Sequence, residues 1–310
     1  MIRRFREVVK LLLRNKINAA ALAIVSIYLI SACVIEVYNC ECSIKKEVPV
    51  YDQGAMEDSF QPPSKAHPFG TDYMGRDVLL RAVAGIATAV KVGVMASLIS
   101  AVIGVSLGLI GGYFGGKTDD VVVWIYSTFA SMPTMLFILA FALLATRGFL
   151  FPPVAKSFEV FSNFLNTDSE MMAVYLAIGI TGWVSLCRAV RAETMQQRER
   201  AYIQAARVLG VNDLKIIFRH ILPNVFHLVI IYSTLRFAYA IMTEVIVSYL
   251  GLGIQTAPSW GVMISDGQER LWRGIWWEVS AATIFMFVLV LALNLLGDAM
   301  RDALDPKQKS

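Results

Sequence analysis

The chain has 310 residues, of which 56% are hydrophobic and 17% charged, with a net charge of +4. Soluble domains carry roughly 45–50% apolar residues even with glycine counted, so composition and a mean hydropathy of +0.58 exclude an ordinary soluble domain. The small positive charge calls for no nucleic-acid partner, because membrane topology and lipid headgroups account for it.

The apolar excess is concentrated in runs free of Asp, Glu, Lys and Arg: residues 17–35, 92–114, 121–146, 171–187 and 279–297. A spanning helix needs about 20 residues, with a range of roughly 17–25, so each run qualifies. A sixth candidate, residues 224–247, is long enough but carries Arg236 and Glu244. The expectation is an all-α integral membrane protein with six transmembrane helices.

The N-terminal segment holds Arg3, Arg4, Arg6, Lys10, Arg14 and Lys16. The stretch Ile30-Ser31-Ala32-Cys33 has the look of a lipoprotein signal. The apolar run before it exceeds the usual 7–15 residues of a signal core, so a retained first helix is expected. Cys40 and Cys42 are too close together for an easy mutual disulfide, and no cysteine–histidine pattern suggests a metal. No cofactor is implied.

Residues 39–89 read as a polar loop interrupted by Pro49, Pro62, Pro63 and Pro68, which disfavour regular structure. Within it, His67-Pro68-Phe69-Gly70-Thr71-Asp72-Tyr73-Met74-Gly75-Arg76-Asp77 suggests a tight turn stitched by Asp72, Arg76 and Asp77. A structural loop is favoured over ligand contact.

The second helix carries Gly104, Gly108 and Gly112 at spacings of four, a pattern that lets helices approach closely in lipid. Gly111-Gly112 and Gly115-Gly116 then turn the chain, and Lys117, Asp119 and Asp120 mark that membrane face. Pro133 predicts a kink in the third helix. Such a kink suits a pathway that opens and closes, and it also occurs in static bundles. Residues 148–170 place Phe158, Phe161 and Leu165 on one helical face, as in an interfacial helix or, less economically, a substrate lid.

Residues 198–224 are polar, Arg-rich and wedged between apolar segments. They read as two short amphipathic helices. Tyr202, Ala206 and Leu209 form one apolar face, and Leu214, Ile217, Phe218 and Ile221 the other, by their i, i+3, i+4, i+7 spacing. Gly210 sits where a left-handed residue ends a helix, Asn212 or Asp213 can cap the next, and Pro223 is expected to stop it.

Arg236 and Glu244 are eight residues apart, roughly 12 Å along one helix, and do not pair tightly with each other. An Arg at a helix centre costs about 2.5–3.5 kcal/mol on insertion scales, so Arg236 should face protein or water. It either lines a translocation path or subunit interface, or makes a buried structural contact. Residues 248–278 hold Trp260, Trp272, Trp276 and Trp277. An aromatic belt explains them, while the turn at Pro258-Ser259-Trp260-Gly261 could also shape a docking surface.

The basic clusters of the N-terminus, the hairpin and the tail fall on one side of a six-helix arrangement, which the positive-inside rule makes cytoplasmic. Both termini are then cytoplasmic. The three histidines, His67, His220 and His227, are scattered. There is no phosphate loop followed by Lys-Ser/Thr, so the chain is not expected to hydrolyse nucleotide or act as an enzyme.

The hairpin resembles the EAA loop of membrane subunits of binding-protein-dependent ABC importers. Gln204-Ala205-Ala206, Gly210, Leu222 and Pro223 match in spacing, while Gln204 replaces the usual acid and His220 the usual Ile. HPFGTDYMGRD at 67–77, TEVIVSYLGLGIQTAPSWG at 243–261 and LNLLGDAMRDALDP at 293–306 resemble the C-type subunit of dipeptide, oligopeptide and nickel permeases. The resemblance implies a type I ABC importer permease fold in a bacterial inner membrane. It divides the chain into a cytoplasmic N-terminus and first helix (1–38), an extracytoplasmic loop (39–89), a permease core (90–297) and a tail (298–310). It further implies a second, homologous permease subunit, two cytoplasmic ATPase subunits and an extracytoplasmic binding protein. Ala205, Ala206 and Gly210 would seat the hairpin in an ATPase cleft, with Arg207 and Asp213 at the rim, and Arg236, Glu244 and Pro133 would lie on the path or its gate. Peptides, nickel chelates and glutathione-like molecules all fit as substrates. A membrane scaffold or sensor is the main alternative. A secondary transporter would need ionisable groups near the midplane, where only Arg236 qualifies.

Overall fold

The computed structural model describes Leu13, residues 15–146 and residues 169–304. The Phe-rich segment 149–165 lies outside them. Helix α1 spans Lys16–Lys45 and α2 spans Val78–Phe114. Two shorter pairs follow: α3 (Gly116–Ser131) with α4 (Thr134–Thr146), and α5 (Ser169–Thr181) with α6 (Val184–Arg198). The hairpin comprises α7 (Ala201–Val208) and α8 (Asp213–Ile216), and α9 (Leu222–Tyr249), α10 (Trp260–Gln268) and α11 (Trp277–Leu304) complete the order. Four helices are long and apolar enough to cross a membrane, or up to six if each bent pair is one span.

Helix α2 begins fourteen residues before its uncharged run, at Val78, where Asp77 accepts from the Leu80 amide at 2.9 Å. The loop expected over 39–89 therefore ends at Asp77, and residues 78–89 are helical although Arg81 lies among them and Lys91 follows. Both charges are met by distant partners, Asp72 and Glu36 respectively, so the helix carries them. Gly111 and Gly112 do not turn the chain. They stay helical, and the turn falls at Gly115 with φ +68°. The glycine row packs on α6: a Cβ on Gly104, Gly108 or Gly112 would come within 2.7–2.9 Å of the carbonyls of Trp183, Cys187 and Arg191.

Pro133 does more than kink a helix. The chain breaks between Ser131 and Thr134, and the two pieces meet at 88°. A second break, of 40°, separates Thr181 from Val184. Aromatic rings connect the two. Phe129 packs edge-on against Trp183 at 5.6 Å and against Phe137 at 6.0 Å between centroids. Breaks of this kind free backbone groups and are tolerated at membrane depth only inside protein or beside water.

Pro223 does not stop a helix either. It sits in the first turn of α9, where a missing N–H costs nothing, and the preceding Ile217–Ile221 widens into a π turn. That widening keeps the proline ring clear of the carbonyl one turn back. The second arm of the hairpin therefore runs directly into α9 as one continuous rod, Asp213–Tyr249. Trp260 and Trp277 depart from the expected belt. Both are buried and donate to main-chain carbonyls, of Ala82 at 2.8 Å and Thr71 at 3.0 Å, whereas Trp272 and Trp276 are exposed.

Candidate functional site

The polar contacts that hold the hairpin to the C-terminal end of α2 converge on one buried residue. Tyr113 donates its hydroxyl to Asp213 at 2.5 Å. The Arg207 guanidinium lies over its ring, 4.7 Å from the centroid, and Arg198 donates to its carbonyl at 3.2 Å. Three contacts from α6, α7 and α8 thus converge on one residue, at its carbonyl, its ring and its hydroxyl. Arg207 and Asp213, read from sequence as rim residues, are turned onto Tyr113. Tyr113 carries no motif in the sequence; its one visible signal is its place at the end of a glycine-striped helix.

The hairpin has two unlike faces. Ile203, Ile216, Ile217 and Ile221 are buried against Leu109, Leu186, Val190 and Val225. Val208 and Leu209, by contrast, are 88% and 81% exposed, and Leu214 and Phe218 are exposed as well. The apolar face of the first helix is therefore not the one read from spacing: Ile203 points inward, and Tyr202 and Leu209 point outward. Gly210 has φ +74° with open space where a Cβ would stand, so its backbone and not crowding demands glycine. Asn212 caps α8 by accepting from the Leu214 amide at 2.9 Å. Gln204 donates to the Arg198 carbonyl at 3.1 Å, closing the α6–α7 corner. Ala205 is exposed, Ala206 and Leu222 are partly buried, and Pro223 is exposed.

Arg236 is far from the hairpin, at the second helix break. It donates from Nη2 to the Ile178 carbonyl at 2.7 Å, and its guanidinium sits 4.8 Å from the Tyr239 ring centroid. Gly182 makes this possible, because any Cβ there would collide with the guanidinium. Pro133 belongs to the facing break, joined through Phe129 and Trp183. Glu244 lies elsewhere. It is buried and accepts from Ser248 and Ser259, each at 2.7 Å, and Ser259 also caps α10.

At the other end of α2 the loop residues form a closed network. Asp72 is buried. One of its oxygens accepts from the amides of Met74 and Arg76, at 2.8 and 2.9 Å, and the other from the Arg76 and Arg81 guanidinia, at 2.8 and 3.1 Å. Asp77 meets His67 at 2.7 Å. Arg270 stacks over Phe60 and Tyr73 and pairs with Glu278 at 3.2 Å. Burial raises the Asp52 and Asp266 carboxyls above their ordinary range, with Arg76, and for Asp266 also Arg270, pulling the other way. Among the described residues no group of three or more His, Cys, Asp or Glu could hold a metal.

Residues 104–310 match the model of the binding-protein-dependent transport system inner membrane component family. The chain is 36% identical to the dipeptide transport system permease protein DppC of Bacillus subtilis, over 79% of this chain and 70% of that one. It is 34% identical to the oligopeptide transport system permease protein OppC of Mycobacterium bovis, over 98% and 94%. A chain of the MetNI methionine ABC transporter shares the fold, with a TM-score of 0.50 at 16% identity over 74% of this chain and 97% of that one. The family match spans the glycine-striped end of α2, both sides of the second helix break, the hairpin and α9 to α11. The chain thus belongs to the family of binding-protein-dependent transport system inner membrane components, as a multi-pass ABC importer permease of the peptide-transport type.

Proposed function

We infer that this chain forms one half of a translocation pore, completed by a second, homologous permease subunit. Two ATPase subunits drive the pair from the cytoplasm, and an extracytoplasmic binding protein delivers peptides or related small solutes. The hairpin is the coupling element. Both termini and the hairpin are cytoplasmic, and the loop network around Asp72 faces the opposite side.

The observation that carries this reading is the two-faced hairpin. Large apolar side chains left in water mark an interaction site. Val208, Leu209, Leu214 and Phe218 are all exposed within eleven residues of the hairpin segment. That element is bolted through Tyr113 to α2 and runs without a stop into α9. A push on the hairpin is thereby delivered to two long helices as rigid-body movement. Gln204, in the position of the usual acid, bonds within the hairpin, which leaves the apolar face and not a charge at this position to hold the ATPase.

The test is Gly210→Val in the assembled transporter. A β-branched residue is strained at φ +74°, so the hairpin must change shape while the packed helices stay. We expect membrane insertion to persist and ATP hydrolysis to continue without matching uptake. Normal uptake with coupled hydrolysis would show that the hairpin does not transmit force. A scaffold or sensor, by contrast, would show no ATP-driven uptake in the wild-type protein.

A further inference from the structure

Arg236 stands at the middle of the apolar segment 224–247. It makes no ion pair with a carboxylate among the described residues; it meets a neutral carbonyl and an aromatic ring there. Its Nε is buried with no hydrogen-bond partner. A guanidinium carries five N–H donors in a rigid fork, and the Ile178 carbonyl takes one. Glu244, two turns along the same helix, is occupied by Ser248 and Ser259. An ionised side chain held inside the membrane without a counter-ion is costly, and residues of this kind mark substrate pathways.

The site is also built. Gly182 is bare where any side chain would strike the guanidinium. The break between α5 and α6 places the Ile178 carbonyl where the guanidinium reaches it. Tyr239, beside the cation, is 40% exposed, and Leu235, Met242 and Ile246 continue its open face along α9 at helical spacing. Arg236 itself is only partly buried. The arrangement is an apolar track with one unneutralised fork at its edge.

We propose that Arg236 binds the carboxylate of a transiting peptide, as the anion-recognising residue of the translocation path. This rests on the reading of the chain as a peptide importer permease. A planar fork takes a carboxylate through two parallel bonds, while Tyr239 and the neighbouring apolar track tolerate varied side chains. The carboxylate neutralises the unpaired charge while the peptide passes, and the bond to the Ile178 carbonyl keeps the fork aimed between substrates.

The experiment compares ATP-driven uptake of trialanine and of trialanine amide. It uses the complete transporter in liposomes with its binding protein, as wild type and as Arg236→Gln. Because the same binding protein serves all four measurements, its own preference cancels when the two free-acid to amide ratios are divided. A hydrogen bond to a charged group is worth about 1.5–3 kcal/mol, so the ratio should fall at least about tenfold in the variant. An unchanged ratio overturns the proposal, whether total uptake falls or not, and assigns Arg236 to structure or to a neighbouring subunit. Absence of ATP-driven uptake in the wild type overturns the peptide-importer reading and this proposal together; uptake with an unchanged ratio overturns this proposal alone. Size-exclusion chromatography checks assembly of R236Q. Should it not assemble, R236K decides: an ammonium lacks the planar fork, so the preference should drop about threefold, and full retention would sink the proposal.

Discussion

The two ends of α2, about 55 Å apart at 1.5 Å per residue, are finished in opposite ways. At the Val78 end the loop closes on itself. Asp72 accepts four bonds, Arg76 and Arg81 share its charge, and Trp260 and Trp277 pin the adjoining helices through buried indole N–H groups. At the Phe114 end fewer polar contacts converge, on Tyr113, and the hairpin beside it keeps large apolar side chains exposed. One end spends its polar groups internally and needs no partner to hold its shape. The other is internally held and still exposes Val208, Leu209, Leu214 and Phe218. A loop satisfied by its own residues sets the geometry of the helix ends. An element that is rigid yet apolar on its free side is suited to receive force.

The largest effect should follow from breaking the closed end. Asp72→Ala removes the carboxylate that neutralises Arg76 and Arg81, and Arg81 is buried. Removing one partner of a buried pair costs about 3–5 kcal/mol. Thermal unfolding of the purified protein should show a loss of that order. If D72A melts like the wild type and instead weakens capture of the loaded binding protein, the loop is a recognition surface and the contrast between the ends collapses.

A middle-sized effect, on association and not on folding, is expected at the open end. Val208→Ser with Leu209→Ser changes two side chains that touch little in this chain, so stability should stay within about 0.5 kcal/mol. Burying one Val or Leu is worth about 1.5–3 kcal/mol. Loss of both should therefore weaken ATPase-subunit association at least about tenfold, measured by pull-down titration of the purified ATPase subunit. Unaltered binding would mean that another face of the hairpin is covered.

The sequence disclosed most of this layout where local rules govern. Apolar runs of membrane length marked the spans, because lipid admits little else. Gly210 and Asn212 were readable because a left-handed turn and a helix cap each depend on one or two neighbouring residues. The breaks were less legible. Pro133 announced a kink, but its size depends on how Phe129, Phe137 and Trp183 pack across two segments. Gly182 gave no signal at all, since its role is fixed by Arg236 more than fifty residues away. The start of α2 at Val78, inside the loop expected over 39–89, was hidden for a related reason: the charges of Arg81 and Lys91 are neutralised in the fold by Asp72 and Glu36. Pro223 was legible as a boundary but not as a beginning, because the π turn that precedes it joins α8 to α9 in one continuous helix.

The smallest expected effect distinguishes burial from ion pairing at the closed end. Asp266 lies in α10 near Arg270 and Arg76, and two influences oppose each other there. Burial raises its carboxyl above the ordinary value of 3.8, and the two guanidinia lower it, with burial the larger. The folded protein then keeps a proton that the unfolded chain has already released. Stability varies with pH according to protons bound by the unfolded state minus those bound by the native state, and here that difference is negative. The contribution of Asp266 to stability must therefore decline as pH rises from about 3.8, and level off once the folded carboxyl has ionised. Asp266→Asn cannot ionise, so it should remove this decline. The melting temperature of the variant should gain on the wild type across that window and run parallel to it above. Parallel curves throughout would show that Arg270 and Arg76 compensate the carboxylate fully. Charge pairing would then extend beyond Asp72 to α10, making the closed end a single ionic cluster instead of a paired core with a merely buried acid at its edge.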